Sequence, residues 1–339
     1  MDNLTHTLVG VAISQTGLNR KTRFATLTLI MTANAPDIDL VASLKGSITY
    51  LEYHRGVTHS FLGITVLAFI FWAAVLWLGK KVKPKPGLPL NSSWLLLAAF
   101  LGTGSHLLLD FTNGYGVRPF LPFDGKWYAW DIMAILDPLL LALLILGLAL
   151  PWLLRVVAEE VGARKSRWGL GALLCLGAMV MLWGIRDFAH RRALSILDSH
   201  TYAGEEPERF SALPAAVNPF VWMGVVETES SFHVVRINAL DTNGLPEELG
   251  TFEKPQLSPP LQAAMKTRAG KIFLDFARYP WAQVDENEQG FRVSLQDLRF
   301  YHAAARFRGF TLEVEMDKGL VSRSEEFYFA APRGPGRGD

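Results

Sequence analysis

Four long apolar runs in the first half of the chain constrain the fold more than any other feature. They contain no Lys, Arg, Asp or Glu, and they cover residues 60–79, 88–109, 138–154 and 168–185. A helix needs about 20 apolar residues to cross the hydrocarbon core of a bilayer. The runs therefore predict four long helices that span, or nearly span, a membrane.

Two shorter uncharged runs, 7–19 and 24–36, precede the long ones. They are too short to cross a bilayer upright, so we expect a hairpin of two short helices that is half-inserted or shielded by the others. A buried helix pair in a soluble helical protein is the alternative, and the four long runs that follow argue against it. The expected α-helical multi-pass membrane domain covers residues 1–185.

The chain after residue 185 has the composition of a soluble domain. Alternating apolar and polar residues in 221–228, 232–240, 290–300 and 310–317 predict strands, and 258–270 begins with prolines and ends with a glycine, as helices often do. We expect a small α+β domain over 186–331, followed by a disordered Gly/Pro/Arg tail at 332–339.

Composition excludes several classes of protein. The net charge of +1 gives no reason to expect nucleic acid as a partner. Cys175 is the single cysteine, so no disulfide can form within the chain. The first residues lack the basic region of a cleavable signal peptide, and none is expected.

The distribution of Lys and Arg predicts the orientation of the helices. Loops 19–23, 80–87 and 155–167 carry eleven basic residues, whereas loops 37–59 and 110–131 carry four. Basic loops lie on the cytoplasmic side of bacterial membranes. This bias places the N-terminus and the C-terminal domain on the extracytoplasmic side of a bacterial inner membrane.

Polar residues that rarely occur in apolar helices collect at the predicted outer helix ends. Ionisable groups at such positions are costly and usually functional. The residues that fall on this one level are His6, Asp37, Asp39, His54, His59, His106, Asp110, Asp131 and Asp137.

His106 and Asp110 give the strongest indication of chemistry. Their i, i+4 spacing places both side chains on one helix face, about one turn apart. Imidazole and carboxylate ligands together suit Zn²⁺, and Mn²⁺ or Fe²⁺ would also fit. The sequence predicts a divalent metal site to which His6, Asp37 or Asp39, and His54 or His59 contribute further ligands.

Other residues near these ligands have alternative roles. Asp37 could orient a nucleophilic water, and Arg55 could stabilise charge on a substrate oxygen or extend along the membrane interface. Thr58 and Ser60 can cap the helix that starts near His59, which we favour over a supporting role beside the metal. Asp131 and Asp137 are candidates for such a supporting role.

The chain resembles a known family over about residues 1–140. The motifs LTHTLVG, PDID, HRGVTHS and HLLLDFTNGYG, in this order, are similar to those of the LexA-regulated, membrane-bound metal-dependent hydrolases, or YdjM-like proteins. The C-terminal segments NPFVWMGVVET and GFRVSLQDLRF resemble the extracytoplasmic domain that many of these proteins carry. The order of His and Asp is distantly similar to zinc-dependent phospholipase C and to fungal zinc nucleases.

The resemblance implies a ligand set and a metal count. Its ligands here would be His6, one of Asp37 and Asp39, His59, His106 and Asp110, with Asp110 able to bridge two metals. The helical half lacks a later H-x-x-x-E pair, so one or two metal ions are expected rather than three.

Two functions follow from these observations. The first is a metal-dependent hydrolase that acts on a phosphoester in a lipid or a lipid-linked molecule at the outer membrane face. The second is a metal-stabilised, non-enzymatic membrane scaffold whose outer domain recruits partners. A transporter is less well supported, because the ionisable residues collect at one membrane face rather than at the midplane. Membrane lipids are expected partners in each case.

Overall fold

A computed structural model describes residues 1–82, 87–160, 169–241, 244, 246–301 and 307–332. Of the predicted tail at 332–339, Pro332 ends a strand, and residues 333–339 lie outside the described residues. So do five of the basic residues used to predict orientation: Lys83, Lys85, Arg164, Lys165 and Arg167.

The chain forms two compact units that are discontinuous in sequence. The first contains Met1–Leu40, Arg55–Phe188 and Ala216–Pro219. The second contains Val41–His54, Ala189–Ala215 and Phe220–Asp339. The chain therefore leaves the first unit after Leu40 and re-enters it at Arg55.

Helices make up most of the first unit. In chain order, the helices of the described residues are α1 (Asn3–Gln15), α2 (Ala25–Asn34), α3 (Ser47–Tyr53), α4 (Phe61–Lys81), α5 (Ser92–Phe111), α6 (Pro138–Glu160), α7 (Leu170–Asp198), α8 (Pro259–Lys266) and α9 (Arg268–Phe276). Short 3₁₀ helices occupy Leu18–Arg20, Ala35–Lys45, Val57–His59 and Leu298–Phe300.

Three helices in the described part of the chain are long and apolar enough to cross a membrane: α4, α5 and α7. The apolar part of α6 within the searched residues, Pro138–Leu150, is shorter. An N-terminal helical region with candidate membrane spans is thus confirmed. The expectation of four long and two short helices stays a prediction.

Polar side chains fix where the helices begin. Asp2 accepts a hydrogen bond from the Thr5 backbone N–H (3.0 Å), and Ser60 accepts one from the Gly63 N–H (3.0 Å). Such caps satisfy backbone donors that lack a partner within the helix. The cap at Ser60 starts α4 at Phe61, which places His59 just before the N-terminal end of this helix.

A small residue brings α5 against α2. A Cβ atom placed on Gly102 would lie 2.0 Å from Thr32 Oγ1, so a larger residue would force the helices apart. His106 lies one turn after Gly102, and its Nδ1 atom is 2.7 Å from the Ala33 carbonyl oxygen. Close packing of the two helices thus sets the position of His106.

The second unit contains two four-stranded antiparallel sheets, each with its strands in sequence order. Their strands are β1 (Arg209–Pro214), β2 (Val221–Glu227), β3 (Ser231–Asn238) and β4 (Glu247–Glu253), then β5 (Pro280–Asn287), β6 (Gly290–Asp297), β7 (Phe307–Asp317) and β8 (Ser322–Pro332). Together with α8 and α9, they form the mixed helix and sheet domain that the alternating pattern predicts.

The segment Val41–His54 packs within the second unit. It carries α3, which contacts α9 and β8. Glu52 forms an ion pair with Arg268, and the rings of Tyr50 and Phe329 meet edge to face, with centroids 5.4 Å apart. A short stretch from the N-terminal half therefore belongs to the same folded body as the sheets.

Candidate metal centre

Four side chains of the first unit converge on one point. One donor atom from each of Asp37, His59, His106 and Asp110 lies within 4.8 Å of the other three. Asp37 comes from the 3₁₀ helix after α2, and His59 comes from the 3₁₀ helix before α4. The other two come from α5, where their i, i+4 spacing directs them to the same side. Three separate segments thus build the group.

The distances within the group fit a tetrahedral metal ion. The Nε2 atoms of His59 and His106 are each 3.5 Å from Asp37 Oδ1 and 3.4 Å from Asp110 Oδ2. They are 3.0 Å from each other. Donors that lie 2.1 Å from a tetrahedral zinc ion are about 3.4 Å apart. The group therefore already has the dimensions of a four-coordinate site.

Hydrogen bonding around His106 also favours a cation at this point. Its Nδ1 atom must carry the proton that it donates to the Ala33 carbonyl, so Nε2 presents a lone pair. That lone pair faces His59 Nε2 at 3.0 Å. The facing nitrogens need a proton or a metal ion between them. In addition, Asp37 Oδ2 and Asp110 Oδ2 are buried without a hydrogen-bond partner among the described residues.

Three carboxylates surround the imidazole of His59. Burial alone lowers the pKa of its imidazole, but the neighbouring carboxylates of Asp110, Asp37 and Asp39 outweigh burial and raise the pKa to about 10. The pKa of Asp37 is lowered: burial opposes the shift, while the hydrogen bond to His59 and the charge of His106 cause it. Without a metal, a proton on His59 compensates for the carboxylates. A divalent cation would replace it.

Asp39 supports His59 from the side opposite Asp37. Its Oδ2 atom lies 3.2 Å from His59 Nδ1, and it accepts hydrogen bonds from the Arg55 backbone N–H (2.8 Å) and from Thr58 Oγ1 (3.2 Å). Metal-bound histidines usually donate their second ring nitrogen to such a carboxylate, which fixes the ring. The geometry thus assigns the two aspartates of PDID to different nitrogens of one imidazole.

Arg55 neutralises the other oxygen of Asp110. Its Nη2 atom is 3.0 Å from Asp110 Oδ1, and its Nη1 atom donates to Asn113 Oδ1 (2.9 Å) and to the Gly116 carbonyl (3.1 Å). Its guanidinium also lies over the Tyr115 ring, 4.7 Å from the centroid. Asp110 can therefore direct one oxygen to the metal while Arg55 holds the other.

The comparison with known families adds an independent result. The family model described as "YdjM inner membrane protein" matches residues 1–191, more than half of the chain. The chain belongs to this family. The matched region contains all four donors and the side chains that support them.

A relative of this YdjM family member occurs in Bacillus subtilis (strain 168). It is named "Uncharacterized protein YfhP", and it is 32% identical over 153 residues, which cover 41% of this chain and 42% of the relative. The chain thus spans about two fifths of the length of that relative. No solved structure matches the chain.

His6 lies against the group without belonging to the four. Its ring stacks on His106 with centroids 3.9 Å apart, and its Nε2 atom is 3.4 Å from Asp110 Oδ1. The Met1 amino group contacts the same Asp110 oxygen. Both ring nitrogens of His6 are buried and lack a hydrogen-bond partner among the described residues. Its predicted role as a ligand stays a prediction.

The remaining predicted site residues have other neighbours. His54 belongs to the second unit, where its ring stacks on Tyr50 with centroids 4.5 Å apart. Ser60 is the cap of α4, as the capping interpretation predicts, and Asp131 is buried with a positive φ of 59°. Thr58 lies beside the donors instead: its Oγ1 atom donates to Asp39 Oδ2 (3.2 Å) and is 3.0 Å from His59 Nδ1. Asp137 forms a fully buried ion pair with Arg186, at 2.7 Å.

Asn113 supports the site, and the sequence analysis did not single it out. It is fully buried, and its Oδ1 atom accepts hydrogen bonds from Arg55 Nη1 (2.9 Å) and from the Tyr115 N–H (3.0 Å). Its position three residues after Asp110, just past the end of an apolar helix, could have indicated this role from the sequence. A polar amide there must find a partner or pay for desolvation.

Proposed function

We propose that this protein is a membrane-bound, metal-dependent hydrolase. Its substrate would be a phosphoester in a lipid or a lipid-linked molecule at the outer face of the membrane. The observation that supports this proposal is the convergence of Asp37, His59, His106 and Asp110 at the spacing of a metal site. The apolar helices α4 and α5 meet the same site, which favours a substrate that reaches it from the bilayer.

The four donors would hold one divalent ion, with zinc the best match to two imidazoles and two carboxylates. Mn²⁺ or Fe²⁺ is the alternative. When bound, such an ion supplies a Lewis acid that polarises a phosphoryl oxygen and lowers the pKa of water toward about 7. His6, which lies beside Asp110 Oδ1, is the candidate donor for a second ion.

Asp37 is the residue best suited to interact with water and substrate. Its side chain is 17% exposed, whereas those of His59, His106 and Asp110 are at most 1% exposed. The accessible side of the site is therefore the side of Asp37. We propose that the Asp37 carboxylate orients the attacking water and accepts its proton.

One observation favours the scaffold as a second candidate. Structural zinc sites have four protein ligands, whereas catalytic sites keep an open position. Here the donor atoms of four protein residues all lie within 4.8 Å of one another, so they could fill all four positions around one ion. A hydrolase would need Asp37 to move aside or the ion to accept a fifth ligand.

Metal analysis of the purified protein is the first test. Wild type should contain about one zinc or similar ion per chain, and His106→Ala should contain almost none. His54→Ala is the matched control, because His54 stacks on Tyr50 in the other unit and should not affect the metal. Equal metal content in all three proteins would refute the proposed centre.

The second test separates enzyme from scaffold. The metal-loaded protein should hydrolyse at least one member of a panel of phospholipid and lipid-linked phosphoesters, and Asp37→Asn should not. Cobalt substitution supplies a readout that does not depend on finding the substrate. A five-coordinate cobalt spectrum that changes with added phosphate indicates an open position. A four-coordinate spectrum that ignores phosphate, with no hydrolysis, favours the scaffold.

A further inference from the structure

The loop that follows the metal-site end of α5 is ordered and turns back on itself. Val117 and Tyr128 form an antiparallel bridge in which each backbone N–H donates to the other carbonyl, at 2.8 Å in both directions. At the turn, the Phe120 carbonyl accepts hydrogen bonds from the N–H groups of Phe123 (2.9 Å) and Asp124 (3.1 Å). The loop thus holds its tip in a defined position.

The tip of this loop presents aromatic side chains outward. Phe123 is 88% exposed and Phe120 is 45% exposed. Isolated exposed apolar residues are common, but a tight turn that presents two phenylalanines usually marks an interaction surface. Pro122 lies between them, and Lys126 follows on the exposed side.

The loop packs against the helix ends that carry the metal donors. The Val117 side chain shares a buried cluster with Ile64 of α4 and Leu107 of α5. The Phe61 N–H donates to the Pro119 carbonyl (2.8 Å), and the Phe61 and Phe120 rings meet edge to face at 5.6 Å. The loop therefore lies where α4 begins and α5 ends, which is one end of both candidate spans.

The exposed aromatic surface is continuous with the outer face of α4. Only 17% of the most apolar window of α4 is buried within the protein. Its first turn exposes Phe61 (54%) and Leu62 (48%), and the helix continues with exposed Val66 and Phe69. Because α4 is a candidate membrane span, its uncovered face is the surface that would contact lipid.

We propose that the tip of this loop, residues 120–123, inserts into the interfacial region of a phospholipid bilayer. Aromatic residues concentrate at the membrane–water boundary, where a ring can leave water while the backbone stays hydrated. Lys126 and Arg118 flank the tip and would lie at the level of the lipid phosphates. Arg118 stacks on Trp127, 4.5 Å from the ring centroid, which holds its charge near the tip.

The insertion has a consequence for the metal centre. The same loop begins with Asn113 and Gly116, which accept hydrogen bonds from Arg55, and Arg55 holds Asp110. A tip fixed in the lipid interface therefore holds the donor group at headgroup depth. This surface does not depend on hydrolysis, so it would exist in an enzyme and in a scaffold alike.

Fluorescent labelling of the full-length protein tests the proposal. Cys175→Ala removes the native thiol, and Phe123→Cys then carries an environment-sensitive probe after reconstitution into phospholipid nanodiscs. Gln289→Cys, at the exposed turn between β5 and β6, is the water-exposed reference. Emission at 123 should shift to shorter wavelength, and lipids with a nitroxide near the headgroup should quench it several-fold more strongly than at 289.

Two results would overturn the proposal. Emission and quenching at 123 equal to those at 289 would show that the tip is in water. A blue shift without quenching by nitroxide lipids would show that protein, rather than lipid, covers the tip. Phe120→Cys offers a second position on the same turn if labelling at 123 prevents reconstitution.

Discussion

The Nε2 atoms of His59 and His106 face each other at 3.0 Å, although the two residues are 47 positions apart in the chain. A hydrogen bond from His106 Nδ1 to the Ala33 carbonyl fixes one ring, and Asp39 beside His59 Nδ1 fixes the other. Each ring thus turns its Nε2 atom toward the two remaining donors. The arrangement favours a cation between the rings. Because the supporting residues fix the rings, their substitution should also change metal binding.

Asp39→Asn should weaken metal binding without abolishing it. The amide keeps the size of the side chain but loses the charge that orients His59 Nδ1, and loss of such outer partners costs about 10–100-fold in metal affinity. Competition with a chromogenic chelator measures the change. Asp37→Asn, which alters a donor, should have a larger effect, and the reverse order would exchange the roles of the two aspartates.

Arg55→Ala should destabilise the protein. Asp110 is 1% exposed, and removing one partner of a buried ion pair costs about 3–5 kcal/mol. Thermal unfolding in detergent, with and without added metal, measures the loss, and metal should restore part of it. Arg118→Ala is the control, because Arg118 is only partly buried. Unchanged stability with lost hydrolysis would instead support the predicted contact of Arg55 with substrate.

Metal binding should release about one proton near pH 7.5. The pKa of His59 in the folded, metal-free protein is raised to about 10, so the ring is protonated there and must lose that proton to bind a metal. Apparent affinity should therefore increase as pH rises toward 10. Titration calorimetry in buffers of different ionisation enthalpy counts the protons, and a count of zero would contradict the protonated state.

The raised pKa of His59 also makes the stability of the metal-free protein depend on pH. A pKa raised above its value in the unfolded chain stabilises the metal-free fold below about pH 6.5, and this contribution disappears as pH rises through 10. The metal-free protein should thus lose stability in alkaline buffer more steeply than the metal-loaded protein does.

Asp137→Asn should affect stability and leave the metal in place. Asp137 pairs with Arg186 at 2.7 Å, and both side chains are fully buried. Replacing the carboxylate breaks this buried ion pair, at a cost of about 3–5 kcal/mol. Unfolding temperature and metal content measured on one sample distinguish the effects. A loss of metal at unchanged stability would instead support the predicted role of Asp137 beside the metal.

Cysteines introduced at Lys80 and at Glu286 should be labelled from opposite sides of the membrane. Lys80 lies in the last turn of α4, at a basic end that the positive-inside rule assigns to the cytoplasm, and Glu286 is an exposed residue of β5. A membrane-impermeant maleimide, applied to whole cells and to inverted vesicles of the Cys175→Ala protein, reads the side. Labelling of both positions from one side would overturn the predicted orientation.

The sequence predicted the site better than it predicted how the site is supported. Asp37, His59, His106 and Asp110 each stand in a motif beside an apolar run, where an ionisable group is too costly to be incidental. The sequence could not separate Asp37 from Asp39, because that choice depends on the 3₁₀ conformation of Ala35–Lys45.

Other features could not be predicted because they depend on contacts between residues far apart in the sequence. Charge and hydropathy place Asp137 at the same level as the metal donors, but its partner, Arg186, lies 49 residues later, on another helix. His54 and His59 share one motif, yet the chain passes from one unit to the other between them. Alternation predicted strands in the second half, while their division into two sheets follows from pairing registers that no local pattern encodes.

The segment Val41–His54 belongs to the second unit although its neighbours in sequence belong to the first, which limits how the protein can be cut into independent domains. A gene fragment that starts at residue 189 would encode both sheets but not α3, so Arg268 would lack Glu52 and Phe329 would lack Tyr50. Recombination at a single crossover point could not transplant the C-terminal unit intact, because its first piece lies between Leu40 and Arg55. The two halves are therefore expected to be inherited together.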